Sequence, residues 1–350
     1  MADTSLDVIL SRFKSILESE VQPTRTERFT RYAITNFRGG IGKSTLAFNL
    51  AWEMSRSNRV LLLDLCSQRN FSQTLIGEAL TDRKITIYDA LLAEILGGEA
   101  ISPTELVEAV KPYCPSFKGG EEAFVIPGSS ELFLFPSLLY SQLATHAQVG
   151  SRGRVLSAKA LDAVNSIITQ VSPIVRPDKV LIDTSPFFGG ATHLGWMAAE
   201  ALIIPVRVDQ HSMDALKLTL QMLRDKTMDF IRFNDQAGIQ RTPKVHAVAI
   251  THCGWNRQTK NSPDNSTKYF VSQAMEIAKK YSEFFTEESV VDCFYLLDDF
   301  HASGRISGTR RIPIFNLEAG QQYTVDAQKL EVNPAVDRYK KELHALASAL

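Results

Sequence analysis

The run NFRGGIGKST at residues 36–45 combines residue types that bind phosphate. Its glycines let the backbone wrap closely around an anion, because a side chain would block the approach and bar positive φ angles. Exposed backbone amides and a helix N-terminus supply partial positive charge. In this pattern the lysine reaches the β- and γ-phosphates of a nucleotide, and the hydroxyl holds Mg²⁺. The predicted phosphate contacts are Gly39, Gly40, Ile41, Gly42, Lys43, Ser44 and Thr45.

Two aspartates stand at the ends of apolar runs that read as buried strands. Asp183 closes KVLIDT and precedes SPFFGG, a loop suited to sensing a γ-phosphate, and Asp64 closes VLLLDL. Ligands of open α/β sheets bind outside the carboxyl ends of the strands. We therefore predict that Asp64 and Asp183 are catalytic and that they form the metal site with Ser44. The alternative is that each aspartate merely caps the turn that follows its strand.

Short apolar runs alternate with helical patterns along most of the chain. This alternation predicts an α/β fold in three layers, a doubly wound and mostly parallel sheet with helices on both faces. The predicted strands are 31–37, 59–65, 132–136, 179–184, 202–206, 245–251 and 290–296. The predicted helices are 43–56, 86–96, 154–171, 192–200, 211–233, 267–285 and 336–349, and 256–268 is predicted to be an exposed loop.

An amphipathic helix is predicted over residues 4–20, where apolar residues recur at helical spacing. We expect it to pack on its own domain or on a partner subunit. Binding to a membrane surface is less suited to it, because its polar face mixes acidic and basic residues. The predicted organisation is this helix with a linker over 1–29, followed by a single α/β domain over 30–350 that carries the phosphate loop.

Composition limits the classes of function. The net charge of −1 excludes a global attraction to nucleic acid or membrane, so such contacts would need a local patch. The four cysteines contain no C-x-x-C, which argues against a zinc site or a disulfide framework. With no apolar run of 18 residues and no leader pattern, we expect a cytoplasmic protein.

The phosphate loop resembles the signature K-G-G-x-G-K-[ST] of the ParA/MinD family of deviant Walker A P-loop ATPases (SIMIBI class), and ParA-type partition ATPases are the most similar branch. RVLLLDLCSQRNFSQTL is similar to the family's second motif, D-x-D-P-Q-x-N, and KVLIDTSP to its Walker B stretch. The resemblance implies binding of ATP with Mg²⁺ and a nucleotide-sandwich homodimer that positions DNA or other cargo. It also implies nonspecific DNA binding and a ParB-like adaptor as partners. By position, Gln68 is expected at the nucleotide, with Asn256 and Pro313 on the adenine side.

Two residues depart from the family pattern. Arg38 occupies the place of the lysine that reaches the partner's phosphates, and we predict that it acts in trans, as an arginine finger does. The alternative is that Arg38 neutralises the nucleotide of its own subunit, or none. Cys66 replaces the second aspartate of D-x-D-P-Q, which helps orient the attacking water. Because a neutral thiol is a poor acceptor and a weak base, we predict slow hydrolysis.

A basic segment, SGRISGTRRI, carries Arg305, Arg310 and Arg311 without a nearby acid in the sequence. It is a candidate for nonspecific contact with the DNA backbone. A second cluster comprises Arg25, Arg28 and Arg31. Both could equally be solvated surface. Sequence-specific operator binding is not expected, because the residues before the phosphate loop supply a single helix.

Three functions are compatible with the motifs. The first is a ParA-type ATPase whose ATP-bound dimer engages DNA or an adaptor. The second is a nucleotide-gated scaffold or regulator that binds ATP and scarcely hydrolyses it, which Cys66 favours. The third is a metabolic relative, such as a small-molecule kinase or ligase, built on the same loop.

Overall fold

A computed structural model describes residues 4–19, 28–256 and 262–350. Within these residues the chain forms ten strands. They are β1 (Arg31–Ile34), β2 (Val60–Leu65), β3 (Glu108–Ala109), β4 (Ala123–Ile126), β5 (Lys179–Thr184), β6 (Ala201–Arg207), β7 (Lys244–Cys253), β8 (Phe294–Asp298), β9 (Gln322–Val325) and β10 (Gln328–Glu331).

The helices of the described residues alternate with these strands. They are α1 (Thr4–Ser19), α2 (Lys43–Met54), α3 (Asn70–Ile76), α4 (Ile87–Leu96), α5 (Pro103–Leu106), α6 (Phe135–Ala147), α7 (Gly150–Leu161), α8 (Ala163–Val175), α9 (Gly190–Ala198), α10 (Gln210–Arg224), α11 (Asp229–Ala237), α12 (Asn265–Lys279), α13 (His301–Arg310) and α14 (Val336–Ala347). None of them is long and apolar enough to cross a membrane.

Eight strands form one sheet in the order β3-β4-β2-β5-β1-β6-β7-β8. Every pairing is parallel except that of β3 with β4 at the edge. The strands are apolar almost throughout, as expected when both faces are covered. Because the strands are parallel, their carboxyl ends lie along one edge, and β1 delivers the phosphate loop to the middle of that edge.

Two apolar cores fill the spaces between the sheet and its two helical layers. Helices α2, α3, α13 and α14 cover one face, with Phe48 and Tyr339 among their fully buried side chains. Helices α4 and α6 to α12 cover the other face, around Trp196 and Phe230. This three-layer, mostly parallel arrangement confirms the predicted fold class.

Helix α1 packs against its own chain. Phe13 is buried and stacks on Trp255, with ring centroids 5.1 Å apart. Arg12 donates hydrogen bonds of 3.0 Å to the Val291 carbonyl and to the Asp292 carboxylate. Of the two packing partners expected for this helix, the chain's own domain is the one seen. The division at residue 29 stays a prediction, and residues 20–27 of the linker, including Arg25, lie outside the described residues.

Some predicted elements were wrong. The strand predicted at 132–136 is a 3₁₀ turn (Ser130–Phe133) followed by α6, because a short apolar run does not distinguish strand from helix and a proline favours the first turn of a helix. The strand that precedes this turn is β4 (Ala123–Ile126), which was not predicted and pairs with β2. The helix predicted at 211–233 is divided into α10 and α11, and that at 154–171 into α7 and α8.

Several further elements were not predicted, among them α3, α5, β3, the hairpin β9–β10 and α13. The hairpin β9–β10 turns at Asp326 and Ala327, both with positive φ, without the glycine or asparagine that usually marks such a turn. Helix α13 contains two glycines, which lower its intrinsic helix propensity, and it is held by burial of Ile306 between α2 and the hairpin. Residues 257–261 of the predicted loop lie outside the described residues, and α12 begins within the predicted loop range.

Candidate functional site

The phosphate loop connects β1 to α2 with a backbone that only glycine adopts without strain. Gly40 and Gly42 have φ angles of +71° and +84°, and Gly42 is the residue that precedes the first turn of α2. Apart from the adjacent residues in the chain, no atom of the described residues lies within 4 Å of the position that a Cβ would take at Gly39, Gly40 or Gly42. The loop amides and the positive end of the α2 dipole therefore border open space suited to an anion.

Lys43 lies at the first position of α2 and folds back over the loop. Its Nζ donates to the carbonyl oxygens of Asn36 at 3.1 Å and of Arg38 at 2.7 Å. The side chain is buried, and this burial lowers its pKa, while the nearby Asp183 acts in the opposite direction. The Lys43 ammonium is thus next to the loop, and its hydrogen bonds within the described part of the chain are to these two carbonyl oxygens.

Ser44 and Asp183 meet at the start of α2 and the carboxyl end of β5. The Ser44 hydroxyl donates to Asp183 Oδ2 at 2.7 Å, and Asp183 Oδ1 has no hydrogen-bond partner among the described residues. Burial raises the pKa of Asp183 to about 7, with a further contribution from the charge of Asp64. A hydroxyl beside a buried, half-bonded carboxylate is an oxygen donor set that fits Mg²⁺.

Asp64 is next to Asp183 in the register of β2 and β5, but its oxygens are already bonded. Oδ1 accepts from the Cys66 amide at 3.0 Å, and Oδ2 accepts from the amide and the hydroxyl of Ser72, both at 2.8 Å. Burial raises the pKa of Asp64, although these hydrogen bonds act in the opposite direction. The structure therefore places Asp64 beside the predicted metal site while its carboxylate fixes the loop between β2 and α3.

Cys66 lies on the same loop and faces the site. It is buried, and desolvation together with the charges of Asp64 and Asp183 raises the pKa of its thiol to about 11. The thiol is therefore neutral at physiological pH. It cannot accept a proton as the carboxylate expected at this position would.

A cavity of about 520 Å³ opens over the phosphate loop. Its lining includes predicted nucleotide contacts, namely Gly39, Gly40, Gly42, Lys43, Ser44, Thr45 and Gln68, and Cys66 borders it as well. Arg305, predicted as a DNA contact, also lines it. The lining residues that were not predicted come from α2, α3, the end of β5 with the loop after it, and α13; they are Phe48, Asn70, Gln73, Thr74, Thr184, Pro186, Gly304, Gly308 and Thr309. Asn70 corresponds to the asparagine of D-x-D-P-Q-x-N, so the motif could have identified it.

A second cavity of about 140 Å³ lies against the same loop. It shares Gly40, Gly42 and Thr45 of the loop and α2, and Gly304 and Arg305 of α13, with the first cavity, and Ile41 borders it. Its other walls come from α2, from the carboxyl ends of β7 and β8, and from the start of α13. His252 after β7 and His301 at the start of α13 both have positive φ angles. No signal in the sequence pointed to either histidine.

Two residues predicted for the adenine side lie elsewhere. Neither Asn256 nor Pro313 is among the described residues that line these two cavities. Asn256 is exposed beyond the end of β7, where its amide donates to the Ser262 carbonyl at 2.9 Å. Pro313 is buried after α13, next to an amide that Asn49 holds at 2.7 Å. Hydrogen bonds with other segments of the chain decide where both residues lie. The position of a residue after a strand in the sequence does not reveal such bonds.

The predicted basic cluster is divided by the fold. Arg311 donates to the carbonyl oxygens of Thr74, Leu75 and Tyr113 at 2.5 to 2.9 Å, so its guanidinium is a structural clamp. Arg305 faces both cavities and lies 3.5 Å from Asp326 of the hairpin, an acid distant in sequence. Arg310 is exposed at the end of α13. Of the three candidates for contact with DNA, Arg311 is therefore bonded within the fold, and a DNA contact by Arg305 and Arg310 stays a prediction.

Arg38 extends away from its own phosphate site. Its Nη1 forms an ion pair with Asp209, the residue before α10, and donates at 2.8 Å to the hydroxyl of Ser212 in the first turn of that helix. Arg38 is not among the described residues that line either cavity. This position does not support the alternative that Arg38 neutralises the nucleotide of its own subunit.

The fold and the site together define a P-loop nucleotide-binding protein: a glycine-rich loop after a central parallel strand, a lysine and a hydroxyl on the next helix, and a facing carboxylate. A family model described as an AAA domain matches residues 30–232, more than half of the chain. The chain belongs to this family and is a P-loop ATPase homologue of the ParA/MinD type.

Curated relatives with similar sequences include partition proteins. The chain is 29% identical over 220 residues to the chromosome partitioning protein ParA of Myxococcus xanthus, covering 62% of this chain and 63% of that protein. It is 30% identical over 185 residues to ParA of Caulobacter vibrioides, covering 53% and 58%. The chain therefore spans about 60% of the length of these curated relatives.

Solved structures resemble nearly the whole chain. An ATP complex of McdA from Cyanothece has a TM-score of 0.63 at 16% identity, covering 92% of this chain and 96% of McdA. A putative plasmid partition protein of Borrelia burgdorferi bound to AMPPNP has a TM-score of 0.53 at 17% identity, covering 93% and 100%. At these identities the likeness shows the fold.

Proposed function

We propose that this chain is a ParA-type ATPase that binds ATP with Mg²⁺ in the larger cavity. In this proposal the nucleotide-bound chain forms a sandwich homodimer that positions DNA or another cargo in the cytoplasm, with a ParB-like adaptor as a partner. The observation that carries it is the juxtaposition of Lys43, Ser44 and Asp183 at the mouth of a strain-free glycine loop. The names of the relatives, which are chromosome and plasmid partition proteins, support the choice of branch.

Each group of the site has a defined task in this proposal. Lys43 exchanges its two carbonyl acceptors for phosphate oxygens. The negative charge of the phosphates favours the protonated form of Lys43, whereas burial lowers its pKa. Ser44 and Asp183 would hold Mg²⁺, whose charge neutralises the phosphates during phosphoryl transfer. A cation at this place also favours the ionised form of Asp183, which burial opposes. Gln68 and Asn70 line the same cavity and are positioned to donate to nucleotide oxygens.

Hydrolysis is expected to be slow. A neutral thiol occupies the place of the water-orienting carboxylate, and the adjacent Asp64 carboxylate is bonded to Cys66 and Ser72. General-base assistance commonly contributes about 10²–10⁴ in rate, so its loss would leave a slow ATPase. The same observation favours the second candidate, a nucleotide-gated scaffold that binds ATP and scarcely hydrolyses it. The two candidates differ in turnover and share the binding site.

One pair of measurements tests both candidates. The molar mass of the purified chain is measured by light scattering in Mg-ATP, in Mg-ADP and without nucleotide, and phosphate release is measured with and without DNA. Dimers in ATP with DNA-stimulated release support the partition ATPase, whereas dimers with negligible release support the scaffold. Lys43→Ala is the matched control and should abolish both signals. A chain that does not bind Mg-ATP, or whose binding is unchanged by Lys43→Ala, would contradict the proposal.

A further inference from the structure

Arg38 is captured by a receptor that the fold builds on α10. Asp209 precedes the first turn of this helix, and its Oδ1 accepts from the Ser212 amide at 3.0 Å as a helix cap. The same carboxylate pairs with Arg38, and the Ser212 hydroxyl, on a fully buried residue, accepts from Arg38 Nη1 at 2.8 Å. The start of α10 therefore holds both acceptors in place independently of Arg38.

The backbone and the side chain of Arg38 are held in different directions. Its carbonyl oxygen accepts from Lys43 Nζ at 2.7 Å, which keeps the loop backbone over the phosphate site. Its guanidinium lies instead between the carboxyl end of β6 and the start of α10, where Arg207 Nε is also 3.6 Å from Asp209 Oδ2. While Nη1 is bonded to Asp209 and Ser212, the guanidinium is held at α10, and Arg38 is not among the described residues that line either cavity.

We propose that Asp209 and Ser212 are positioning residues for Arg38: they hold it in cis in the nucleotide-free chain and release it when two copies enclose nucleotide. This inference rests on the proposed function, since it assigns Arg38 to the partner's phosphates. It adds a residue-level control that opposes dimerisation until nucleotide is bound. We call this contact, formed by Arg38, Asp209 and Ser212, the α10 clasp.

The ion pair of the α10 clasp is strong enough to favour the position of Arg38 on its own chain and weak enough to break on dimerisation. The side chains of Arg38 and Asp209 retain 26% and 28% of their exposure, so solvent screens the ion pair. Pairs of this kind typically change an equilibrium by about two- to fivefold. Contacts of arginine with phosphate are charge-assisted and better shielded in a closed dimer, so they would exceed the clasp once nucleotide is present.

The first test uses the chain without nucleotide. Asp209→Asn removes the charge but keeps a good N-cap residue, so α10 should remain intact. A double-mutant cycle of Arg38→Ala and Asp209→Asn, measured by urea unfolding, should give a coupling of about two- to fivefold in the unfolding equilibrium constant. Asp82→Asn, the same change at an exposed acid that is not bonded to Arg38, paired with Arg38→Ala is the control and should show none. Absence of coupling between Arg38 and Asp209 would overturn the clasp.

The second test uses Mg-ATP. Asp209→Asn should tighten the ATP-dependent dimer about two- to fivefold in sedimentation equilibrium, since Arg38 no longer has to leave a carboxylate. The affinity of the monomer for a fluorescent ATP analogue should stay within twofold of wild type. An unchanged or weaker dimer at normal ATP affinity would refute the release step. Failure of the wild-type chain to bind ATP would instead refute the proposed function, and the nucleotide-free cycle would still decide whether the clasp exists.

Discussion

Replacing Asp183 with asparagine should stabilise the nucleotide-free chain at neutral and alkaline pH. Asp183 is fully buried, and burial raises its pKa from 3.8 to about 7. Between these two values the unfolded chain has an ionised carboxylate while the folded chain retains the proton. The folded state therefore loses stability as pH rises from about 4 to about 7. An amide cannot ionise, and its oxygen can still accept from the Ser44 hydroxyl.

The magnitude follows from the linkage between proton binding and folding. A difference of about three pH units, at 1.36 kcal/mol each, corresponds to about 4 kcal/mol above pH 7 as an upper bound. At pH 5 the same relation gives only about 1.6 kcal/mol, because the unfolded carboxylate is then little more than one unit above its pKa. The advantage of Asp183→Asn over wild type should therefore grow by roughly 2 to 3 kcal/mol between pH 5 and pH 8.

Urea unfolding of both proteins at the two pH values, without nucleotide or Mg²⁺, measures this difference. Asp82→Asn, a change at an exposed acid, serves as the control and should show no such growth. Addition of Mg-ATP should raise the unfolding temperature of wild type and leave that of Asp183→Asn nearly unchanged, since the variant lacks the carboxylate. A stability difference that does not depend on pH would refute the reasoning that Asp183 is held near neutrality by burial.

Three other substitutions test separate parts of the site. Cys66→Asp should raise ATP turnover at least tenfold in a phosphate-release assay, and a wild-type rate already typical of ParA ATPases would contradict the inference. Arg38→Ala should weaken the ATP-dependent dimer tenfold or more in light scattering, and unchanged dimerisation would remove its role in trans. Arg311→Ala should cost about 2 kcal/mol in urea unfolding because it leaves three carbonyl oxygens without their donor, whereas Arg310→Ala should leave stability within about 0.5 kcal/mol. Equal stability of the two arginine variants would exclude the structural clamp.

The sequence alone determined the central part of this protein. Strand-helix alternation gave the three-layer fold, and the glycine loop with its lysine and hydroxyl defined the phosphate site. Asp183 could be placed opposite Ser44 because the carboxyl ends of parallel strands share one edge. These features follow from local rules: the period of apolar residues, the conformational freedom of glycine and the chemistry of a helix N-terminus.

The tertiary structure decided what surrounds that centre. Arg38 meets Asp209 across 171 positions of sequence, and Arg311 meets the Thr74 carbonyl across 237. Asp64 was predicted as a metal ligand from its strand end, but Ser72 on α3 donates twice to its Oδ2 and the Cys66 amide donates to its Oδ1. No local pattern encodes such contacts, because each depends on how helices from distant parts of the chain pack beside the sheet. The charge of a residue and its position in the sequence can make it a candidate for a functional role. Its actual role depends on the partner with which tertiary packing brings it into contact.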